Sequence, residues 1–429
     1  MAGRLVPCGT CAPCDGGDGS AGRSASLALE DASGCVALSA IEPVAESREP
    51  VEGDLVSGSL AFALGSSGNQ REKASRLIDA RMHVRPRSTS PDPQLAERWG
   101  VLERRAAMRA EAGAWFRNAG FLELETPTRV VCPGLEPHLR AFPSGDRWLI
   151  TSPELHLKRA LAAGAEKIVE FARAFRDDEH GSWHRSEFTM LEWYRAWAPL
   201  SAIEVDGEGL IRTLAAHAGV TTLRGAALEG PFERTTVRAK VLEVCDLDLA
   251  AFAACFAAGA DVSRTDDAAR DLDALSEAVA GRGHAVAPDD DADAIFFRLW
   301  LAEVEPSLGH QKPVFVHGYP ASQAALARTG TDEDGFPVAR RFELYAGGLE
   351  LANAFEELND PDEQRRRHQA DRAARIAADV AAPPLDESFL QALEFGMAPA
   401  CGIALGFDRL VAALLGLDGL NPLLPFDDP

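Results

Sequence analysis

Apolar residues recur at helical spacing between positions 101 and 119. Steps of three and four residues place them on one stripe of a helix, and Asn118 and Gly120 are typical of a helix end. The pattern predicts an amphipathic helix whose stripe faces a core. The stripe consists of Met108, Ala112, Trp115, Phe116 and Ala119.

A period of two replaces the helical period at residues 121–125, whose sequence is FLELE. Leu122 and Leu124 would lie on one side of a strand, with the two glutamates on the other. Thr126 and Pro127 close the segment, because proline does not continue a strand ladder. We therefore expect a strand directly after the helix.

A second alternating segment, IVEFARAF at 168–175, ends at Arg176. Alternation places Arg176 on the face of Ala172 and Ala174, whose small side chains are expected to leave room for a ligand. After a polar loop, a returning strand carries Glu192 and Tyr194 on one face. An arginine could bind an anion while the neighbouring carboxylate and phenol bind an amine. The alternative is a salt-bridged hairpin.

Two glutamates flank the hairpin signal Gly347-Gly348 in the segment RFELYAGGLELANAFEEL at 341–358. A two-residue loop places Glu343 and Glu350 on one face, opposite or diagonal to each other. Close carboxylates repel unless a cation lies between them, and Mg²⁺ binds a few carboxylates together with phosphate oxygens. The flanking strands are apolar, which favours a metal–phosphate site, with Glu357 nearby, over three solvated glutamates.

An apolar strand runs through Gly406 into a helix in the segment CGIALGFDRL at 401–410. Arg409 falls in the first turn of that helix, where free N–H groups and the helix dipole already favour an anion. A cation is unfavourable there unless a phosphate binds beside it. The motif therefore indicates a phosphate site, and a structural arginine at a helix start is the alternative.

Composition divides the chain into two parts. Of the 429 residues, 46% are hydrophobic and 25% are charged, as in an average soluble globular protein. Residues 1–95, however, contain no Trp, no Tyr and a single Phe, Phe62, so we expect a disordered, low-complexity extension there. A folded domain is expected at 96–429. Within it, the Ala-rich and Asp-rich residues 201–310 suggest an insertion or a helical region.

The net charge and the positions of the cysteines limit the classes of protein to which the chain could belong. A formal net charge of −23 disfavours generic nucleic-acid binding, which needs clustered basic residues. Cys8, Cys11 and Cys14 have the short spacing of a metal or iron–sulfur site, but three thiolates are one short of a closed site, which favours a disordered tail. No segment reaches the roughly 18 to 20 consecutive apolar residues of a membrane span. The expected location is the cytoplasm.

The order of these segments resembles class II aminoacyl-tRNA synthetases of the lysyl branch. The helix and strand up to Pro127 resemble motif 1, the Arg176 hairpin resembles motif 2, and the Arg409 strand and helix resemble motif 3. Four shorter segments are similar to a group of lysyl-synthetase paralogues, the (R)-β-lysine ligases of elongation factor P. These segments are TSPE at 151–154, EFTMLEWY at 187–194, YPASQ at 319–323 and GIALG at 402–406.

The resemblance implies both a fold and a reaction. The fold would be α+β, a catalytic domain at 96–429 built on an antiparallel sheet flanked by helices, and the protein would form a homodimer through motif 1. ATP would activate lysine or (R)-β-lysine as an aminoacyl adenylate, and the acyl group would pass to a lysine side chain of elongation factor P. Stable tRNA binding is not expected.

The resemblance also implies the site residues. Arg176 and Arg409 would be catalytic, at the α- and γ-phosphates of ATP, and Glu343 and Glu350 would bind Mg²⁺. The ATP-binding residues would be Arg176, Asp178, Arg185, Glu350, Leu351, Gly406 and Arg409. The residues that bind the amino acid would be Ser152, Pro153, Glu154, Glu192, Tyr194, Glu357 and Ala404.

The chain departs from the family pattern in places. Asp178 stands where a glutamate is usual, and Arg185-Ser186 replaces a usual Asn-Pro, which changes the contacts expected between this loop and adenine. Ala354 replaces a usual glycine. Two alternatives remain. A lysyl-tRNA synthetase proper would need an anticodon-binding barrel, for which residues 1–95 lack the strand pattern, so this alternative would be a truncated synthetase that charges tRNA. A non-catalytic regulator would be expected to lose a phosphate arginine or a metal carboxylate.

Overall fold

The computed structural model describes residues 93–177, 181–257 and 265–426, together with five short strands nearer the N terminus. Those strands are β1 (Ala2–Pro7), β2 (Leu27–Asp31), β3 (Gly34–Leu38), β4 (Leu55–Ser57) and β5 (His83–Arg85). They pair antiparallel in the order β3-β2-β1-β4-β5. The composition of the extension does not predict these strands. Cys8, Cys11 and Cys14 lie outside the described residues, and the absence of a core in the extension stays a prediction.

The residues before Val101 and those from Val101 to Asp427 fall into separate compact units. The second unit contains most of the helical residues, and several short helical turns join its longer elements. The helices are α1 (Pro93–Asn118), α2 (Glu154–Ala162), α3 (Leu200–Ala218), α4 (Val237–Cys245), α5 (Asp266–Gly281), α6 (Ala292–Leu299), α7 (Pro361–Ala377), α8 (Glu387–Phe395) and α9 (Phe407–Leu414). The short turns are Leu249–Phe256, Trp300–Val304, Glu305–Ser307, Ala321–Gln323 and Asn421–Leu423.

An eight-stranded sheet forms the centre of the second unit, in the order β14-β15-β18-β19-β20-β11-β10-β6. Its strands are β6 (Leu122–Glu123), β10 (Lys167–Phe175), β11 (Glu187–Ala196), β14 (Glu233–Thr236), β15 (Val314–His317), β18 (Arg341–Ala346), β19 (Leu349–Glu356) and β20 (Ala400–Gly406). All neighbours are antiparallel except the outermost pair at each edge. The predicted α+β class with an antiparallel sheet is confirmed.

Within the described residues of the second unit, seven further short strands pair outside the central sheet. They are β7 (Arg129–Val130), β8 (Pro143–Ser144), β9 (Arg147–Leu149), β12 (Thr222–Leu223), β13 (Ala226–Ala227), β16 (Thr329–Thr331) and β17 (Pro337–Ala339). β9 lies between β7 and β8, whereas β12 pairs with β13 and β16 with β17.

The main core lies between one face of the central sheet and helices α1, α3 and α9. Met108, Ala112 and Phe116 of α1 are buried there against Leu191 and Trp193 of β11, which confirms the predicted stripe. Further members of this core are Leu210, Ile403, Leu405, Leu410 and Val411. Burial of these apolar side chains stabilises the packing of the three helices against the sheet.

The strand expected at 121–125 is shorter than its alternating pattern indicates. β6 contains only Leu122 and Glu123, and it pairs in parallel with β10 at the sheet edge. Leu122 is 60% exposed, so the described residues of the second unit leave much of this side chain open to solvent.

Residues 201–310 do not form one uniform insertion. Helix α3 contributes Ile203 and Leu214 to the main core, so it belongs to the central unit. Helices α4 to α6 instead surround a second apolar cluster, in which Phe296 and Trp300 pack near Tyr345 of β18. The helical character was predicted, and the division between two cores was not.

Candidate active site

Polar residues line the face of the sheet opposite the main core. Glu192 of β11 is paired with Ala404 of β20, which is paired in turn with Asn353 of β19. Asn353 is opposite Glu343 of β18. Four neighbouring strands thus place a carboxylate, a methyl group, an amide and a second carboxylate in one row.

A β-bulge sets the order of side chains on β19. Leu344 is opposite Ala352 and Tyr345 is opposite Glu350, so Leu351 is the extra residue between them. A bulge reverses which residues of a strand face a given side. As a result, Glu350 before the bulge and Asn353 after it both face the polar side.

The bulge determines how Leu351 could contact a nucleotide, and it adds a residue to the candidate site. The Leu351 side chain is 1% exposed and lies in the main core, so only its backbone is available to a nucleotide, not its side chain. Asn353 was not predicted, because strict alternation from Glu350 places it on the other face. Its Oδ1 is buried and has no hydrogen-bond partner among the described residues, as expected of a group that awaits a ligand.

The predicted hairpin is present, but the space beside Arg176 is not where the sequence indicated. β10 and β11 pair with Glu170 opposite Glu192. Ala172 and Ala174 are both buried, and Ala172 packs against Val130 and Ile150. The expectation that the two alanines leave room for a ligand is therefore wrong, because the β7–β9 layer fills that room.

Glu192 is the centre of a buried polar cluster on this face, which is the candidate amino-acid pocket. Its carboxylate is fully buried and accepts hydrogen bonds from Ser152 Oγ at 2.7 Å and from Tyr194 Oη at 2.9 Å. Burial, followed by repulsion from Glu154, raises the pKa of Glu192 to about 8. Ser152 Oγ also accepts from the backbone N–H of Glu154 at 3.1 Å, and Pro153 stands directly before α2.

Two further predicted carboxylates already have a cationic partner in the chain. Lys158 Nζ lies 2.7 Å from Glu154 Oε1 and 2.6 Å from Glu357 Oε2, and the lysine side chain is fully buried. Burial raises the pKa of Glu357 to about 8, although Lys158 opposes that shift. The structure therefore brings Glu154, Glu192, Tyr194 and Glu357 together, and it adds Lys158, which the sequence interpretation missed. Its only sequence signal was the four-residue spacing from Glu154.

Gly402 of β20 is required by the packing at this pocket. A Cβ on Gly402 would overlap the Tyr194 ring and Glu357 Oε1. Both groups converge over the glycine Cα, so only a residue without a side chain fits beneath them. Ala404, two residues further, is half-buried next to Glu192.

The two arginines expected at phosphates lie on different elements. Arg176 Nε donates to the carbonyl of Thr151 at 3.4 Å, and its guanidinium lies 5.3 Å from the Phe188 ring centroid. Arg409 Nε donates to the carbonyl of Trp183 at 3.1 Å, and its Nη1 donates to the carbonyl of Glu350 at 3.2 Å.

Of the other residues predicted to bind ATP, the structure describes Gly406 and Arg185 but not Asp178. Gly406 ends β20 directly before α9, and a Cβ there would lie 3.3 Å from Arg409 Cδ. Arg185 is half-buried in the loop before β11, and its Nε has no hydrogen-bond partner within the described part of the chain. Asp178 lies outside the described residues.

Glu343 and Glu350 lie diagonal to each other on the β18–β19 hairpin, as the turn predicts. Glu343 accepts hydrogen bonds from Arg341, Tyr319 and Tyr345. Burial raises the pKa of Glu343, and repulsion from Glu350 adds to the shift, whereas Arg341 opposes it.

The charges of Glu343 and Glu350 also act on a third carboxylate, Glu305. Burial and repulsion from Glu350 and Glu343 raise the pKa of Glu305 to about 7. Concentrated negative charge of this kind fits a divalent cation that also binds phosphates. Among the described residues, however, no group of three or more His, Cys, Asp or Glu side chains could hold a metal by itself.

Arg409 is supported by the residue that precedes it. Asp408 is 7% exposed and accepts from the backbone N–H of Thr189 at 2.7 Å and from Arg105 of α1. The start of α9 is thereby tied to β11 and to α1, the elements that carry the other candidate motifs.

Similarity to known proteins agrees with this arrangement. The family described as tRNA synthetases class II (D, K and N) matches residues 94–428. The chain belongs to this family, and the predicted class II catalytic fold is confirmed.

Similar curated proteins carry a more specific name. The Elongation factor P–(R)-beta-lysine ligase of Erwinia tasmaniensis is 36% identical over 335 residues, which cover 76% of this chain and 94% of that protein. The protein of the same name from Sodalis glossinidius is 35% identical over the same lengths and shares. Across the described residues, no helix is both long and apolar enough to cross a membrane.

Proposed function

We propose that this chain activates lysine or (R)-β-lysine with ATP and transfers the acyl group to a lysine side chain of elongation factor P. The buried Glu192 carboxylate, hydrogen-bonded to Ser152 and Tyr194, is the observation that carries the proposal. A buried carboxylate beside a phenol oxygen can satisfy a desolvated ammonium group. The two relatives, matched over 94% of their length, bear names that describe this reaction.

The proposed chemistry is electrostatic and positional. The carboxylate oxygen of the amino acid attacks the α-phosphorus of ATP, a phosphorus–oxygen bond forms, and the bond to pyrophosphate breaks. Arg176 at the α-phosphate and Arg409 at the γ-phosphate offset the developing negative charge. No nucleophile of the protein takes part.

The second step consumes the adenylate. The amine of the acceptor lysine attacks the acyl carbonyl, the carbon–oxygen bond to AMP breaks, and the amine loses a proton to solvent. An amide bond to the acceptor results. The protein contributes by holding the adenylate and by excluding water that would hydrolyse it.

Glu343 and Glu350 are the residues that would hold Mg²⁺. Arg341 donates once to Glu343 Oε1, which leaves that oxygen a further lone pair, whereas both tyrosines donate to Oε2. Glu350 is 37% exposed, so Glu343 Oε1 and the Glu350 carboxylate can both reach a cation. A bound Mg²⁺ supplies positive charge to the phosphates.

A homodimer in the cytoplasm is part of the proposal. The resemblance puts the dimer contact at motif 1, and the exposed Leu122 at the sheet edge supports it. An apolar side chain at an open edge is favourable when a second copy covers it.

Amino-acid-dependent exchange of pyrophosphate into ATP tests the activation step. We expect exchange with lysine or (R)-β-lysine, and little with norleucine, because norleucine lacks the terminal amine that Glu192 would bind. Equal exchange with norleucine, or no exchange with either lysine isomer, would contradict the proposal.

A further inference from the structure

An internal ammonium group lies inside the pocket proposed for the substrate's amines. Lys158 of α2 is fully buried, and its Nζ is within 2.7 Å of Glu154 and 2.6 Å of Glu357. The reaction proposed above gives this lysine no role. It cannot be a surface charge, because solvent does not reach it.

Lys158 engages one oxygen of each carboxylate and thereby fixes the direction of the other. Glu154 Oε1 and Glu357 Oε2 face Lys158. Glu357 Oε1 instead lies over Gly402 beside the Tyr194 ring, on the side of Glu192. The lysine therefore pairs with Glu357 Oε2 and leaves Glu357 Oε1, the outer oxygen, on the side of Tyr194 and Glu192.

We propose that Lys158 is a positioning residue that favours the ionised forms of Glu154 and Glu357 against the effect of their burial and orients both side chains, so that they accept the amines of the substrate. This inference rests on the function proposed above. Lys158 is a resident counterion and is not displaced by substrate, because it is fully buried and lies one helical turn from Glu154 on the same helix.

Removal of the ammonium changes the charge state of the pocket. Two buried carboxylates that share one cation repel each other without it, and one of them then takes up a proton. A protonated carboxyl is a poorer acceptor for an ammonium group. The other ionisable groups around this cluster are Glu192 and Tyr194 on β11, Glu136 in the loop before β8, His368 on α7, Asp386 before α8 and Cys401 on β20.

The test compares Lys158→Met, which removes the charge, with Lys158→Arg, which keeps it. Pyrophosphate exchange is measured with lysine and (R)-β-lysine between about pH 6 and 9. Lys158→Met should raise KM for the amino acid about 10- to 100-fold and leave KM for ATP unchanged. Its kcat/KM should also fall more steeply toward low pH than that of the wild type, whereas Lys158→Arg keeps the wild-type pH profile. Lys167→Met, on the exposed start of β10, is the matched control.

Removal of one partner of a buried ion pair can unfold a protein, so Lys158→Met alone could fail to fold. A second pair of variants keeps the inference testable in that case. Lys158→Met combined with Glu154→Gln removes one charge of each sign and is compared with Glu154→Gln alone. We expect a higher KM and an additional ionisation in the double variant. A wild-type pH profile in Lys158→Met, or a double variant equal to Glu154→Gln, would overturn the inference. So would a lowered KM, because it would mean that Lys158 competes with the substrate. Inactivity of the wild-type protein would instead contradict the proposed function.

Discussion

Asp408 Oδ1 accepts two hydrogen bonds from Arg105, at 2.8 Å from Nη2 and at 3.0 Å from Nε. Arg105 Nη2 also donates to Thr189 Oγ1 at 2.9 Å. Asp408 is followed directly by Arg409, the proposed γ-phosphate ligand, so a residue of α1 fixes the start of the helix that presents this arginine. The contact joins three segments that lie far apart along the chain.

Arg105→Ala should destabilise the protein and reduce kcat for adenylation together. Loss of the hydrogen bonds to the mostly buried Asp408 carboxylate should lower the free energy of unfolding by about 1.5 to 3 kcal/mol. The same loss frees the start of α9, so Arg409 is held less firmly and kcat falls. Arg104→Ala, an exposed neighbour on the same helix, is the control and should change unfolding by less than about 0.5 kcal/mol. Urea unfolding and pyrophosphate exchange measure the two effects. Equal stability of both variants would show that the Asp408 contact does not hold α9.

Much of the fold follows from periodicity alone. The α1 stripe with Met108 and Phe116 and the β10–β11 hairpin are predicted correctly, because an apolar period of 3.6 or 2 is imposed by burial of one face. Leu122 departs from this rule. Its alternation indicates a covered strand face, yet the side chain is 60% exposed at a sheet edge that the described part of the second unit leaves open.

The candidate site was less predictable, because two of its features depend on contacts between distant segments. Asn353 reaches the polar face only through the bulge at Leu351, and no local pattern in LELANAF marks that bulge. Lys158 meets Glu357 across 199 positions of sequence, a pairing that helical spacing cannot reveal. The spacing shows only its partner Glu154, one turn away.

Arg409→Ala and Glu350→Ala should each abolish adenylate formation without unfolding the protein. Removal of one preorganised charge at a developing phosphate charge costs on the order of 3 kcal/mol, or about 100-fold in rate. The two side chains are 19% and 37% exposed, so neither supports the core. Arg173→Ala, 46% exposed on β10, is the control and should keep full activity. Near-normal pyrophosphate exchange by either variant would remove that residue from the active site.

Ala404→Gly should improve the use of α-lysine relative to (R)-β-lysine. Ala404 lies between Glu192 and Asn353, so its methyl group borders the place where the amino acid would bind. One methyl group in a tight pocket discriminates by roughly 1 to 3 kcal/mol. The wild type should prefer (R)-β-lysine in pyrophosphate exchange. If the wild type already favours α-lysine, the Ala404 methyl group does not select the substrate.

Binding of the amino acid should release a proton near neutral pH. With a pKa raised to about 8, Glu192 is mainly protonated at pH 7 in the free protein, and an ammonium group favours its ionised form. Affinity for the amino acid should therefore rise as pH increases toward about 8. Calorimetric titration in two buffers of different ionisation enthalpy counts the released protons. Glu192→Gln should abolish the release, and an unchanged count in that variant would assign the proton to another group.

The acceptor of the acyl group decides whether the protein modifies elongation factor P or charges tRNA. A strongly acidic chain, with a formal net charge of −23, is poorly suited to holding tRNA, because phosphate contacts supply most RNA affinity. The direct measurement offers the protein ATP, labelled (R)-β-lysine or lysine, and both acceptors, elongation factor P and tRNA-Lys, in one reaction. We expect label on a lysine of elongation factor P and none on the tRNA. Label on tRNA-Lys, with elongation factor P unmodified, would contradict the proposed function and show that the protein charges tRNA.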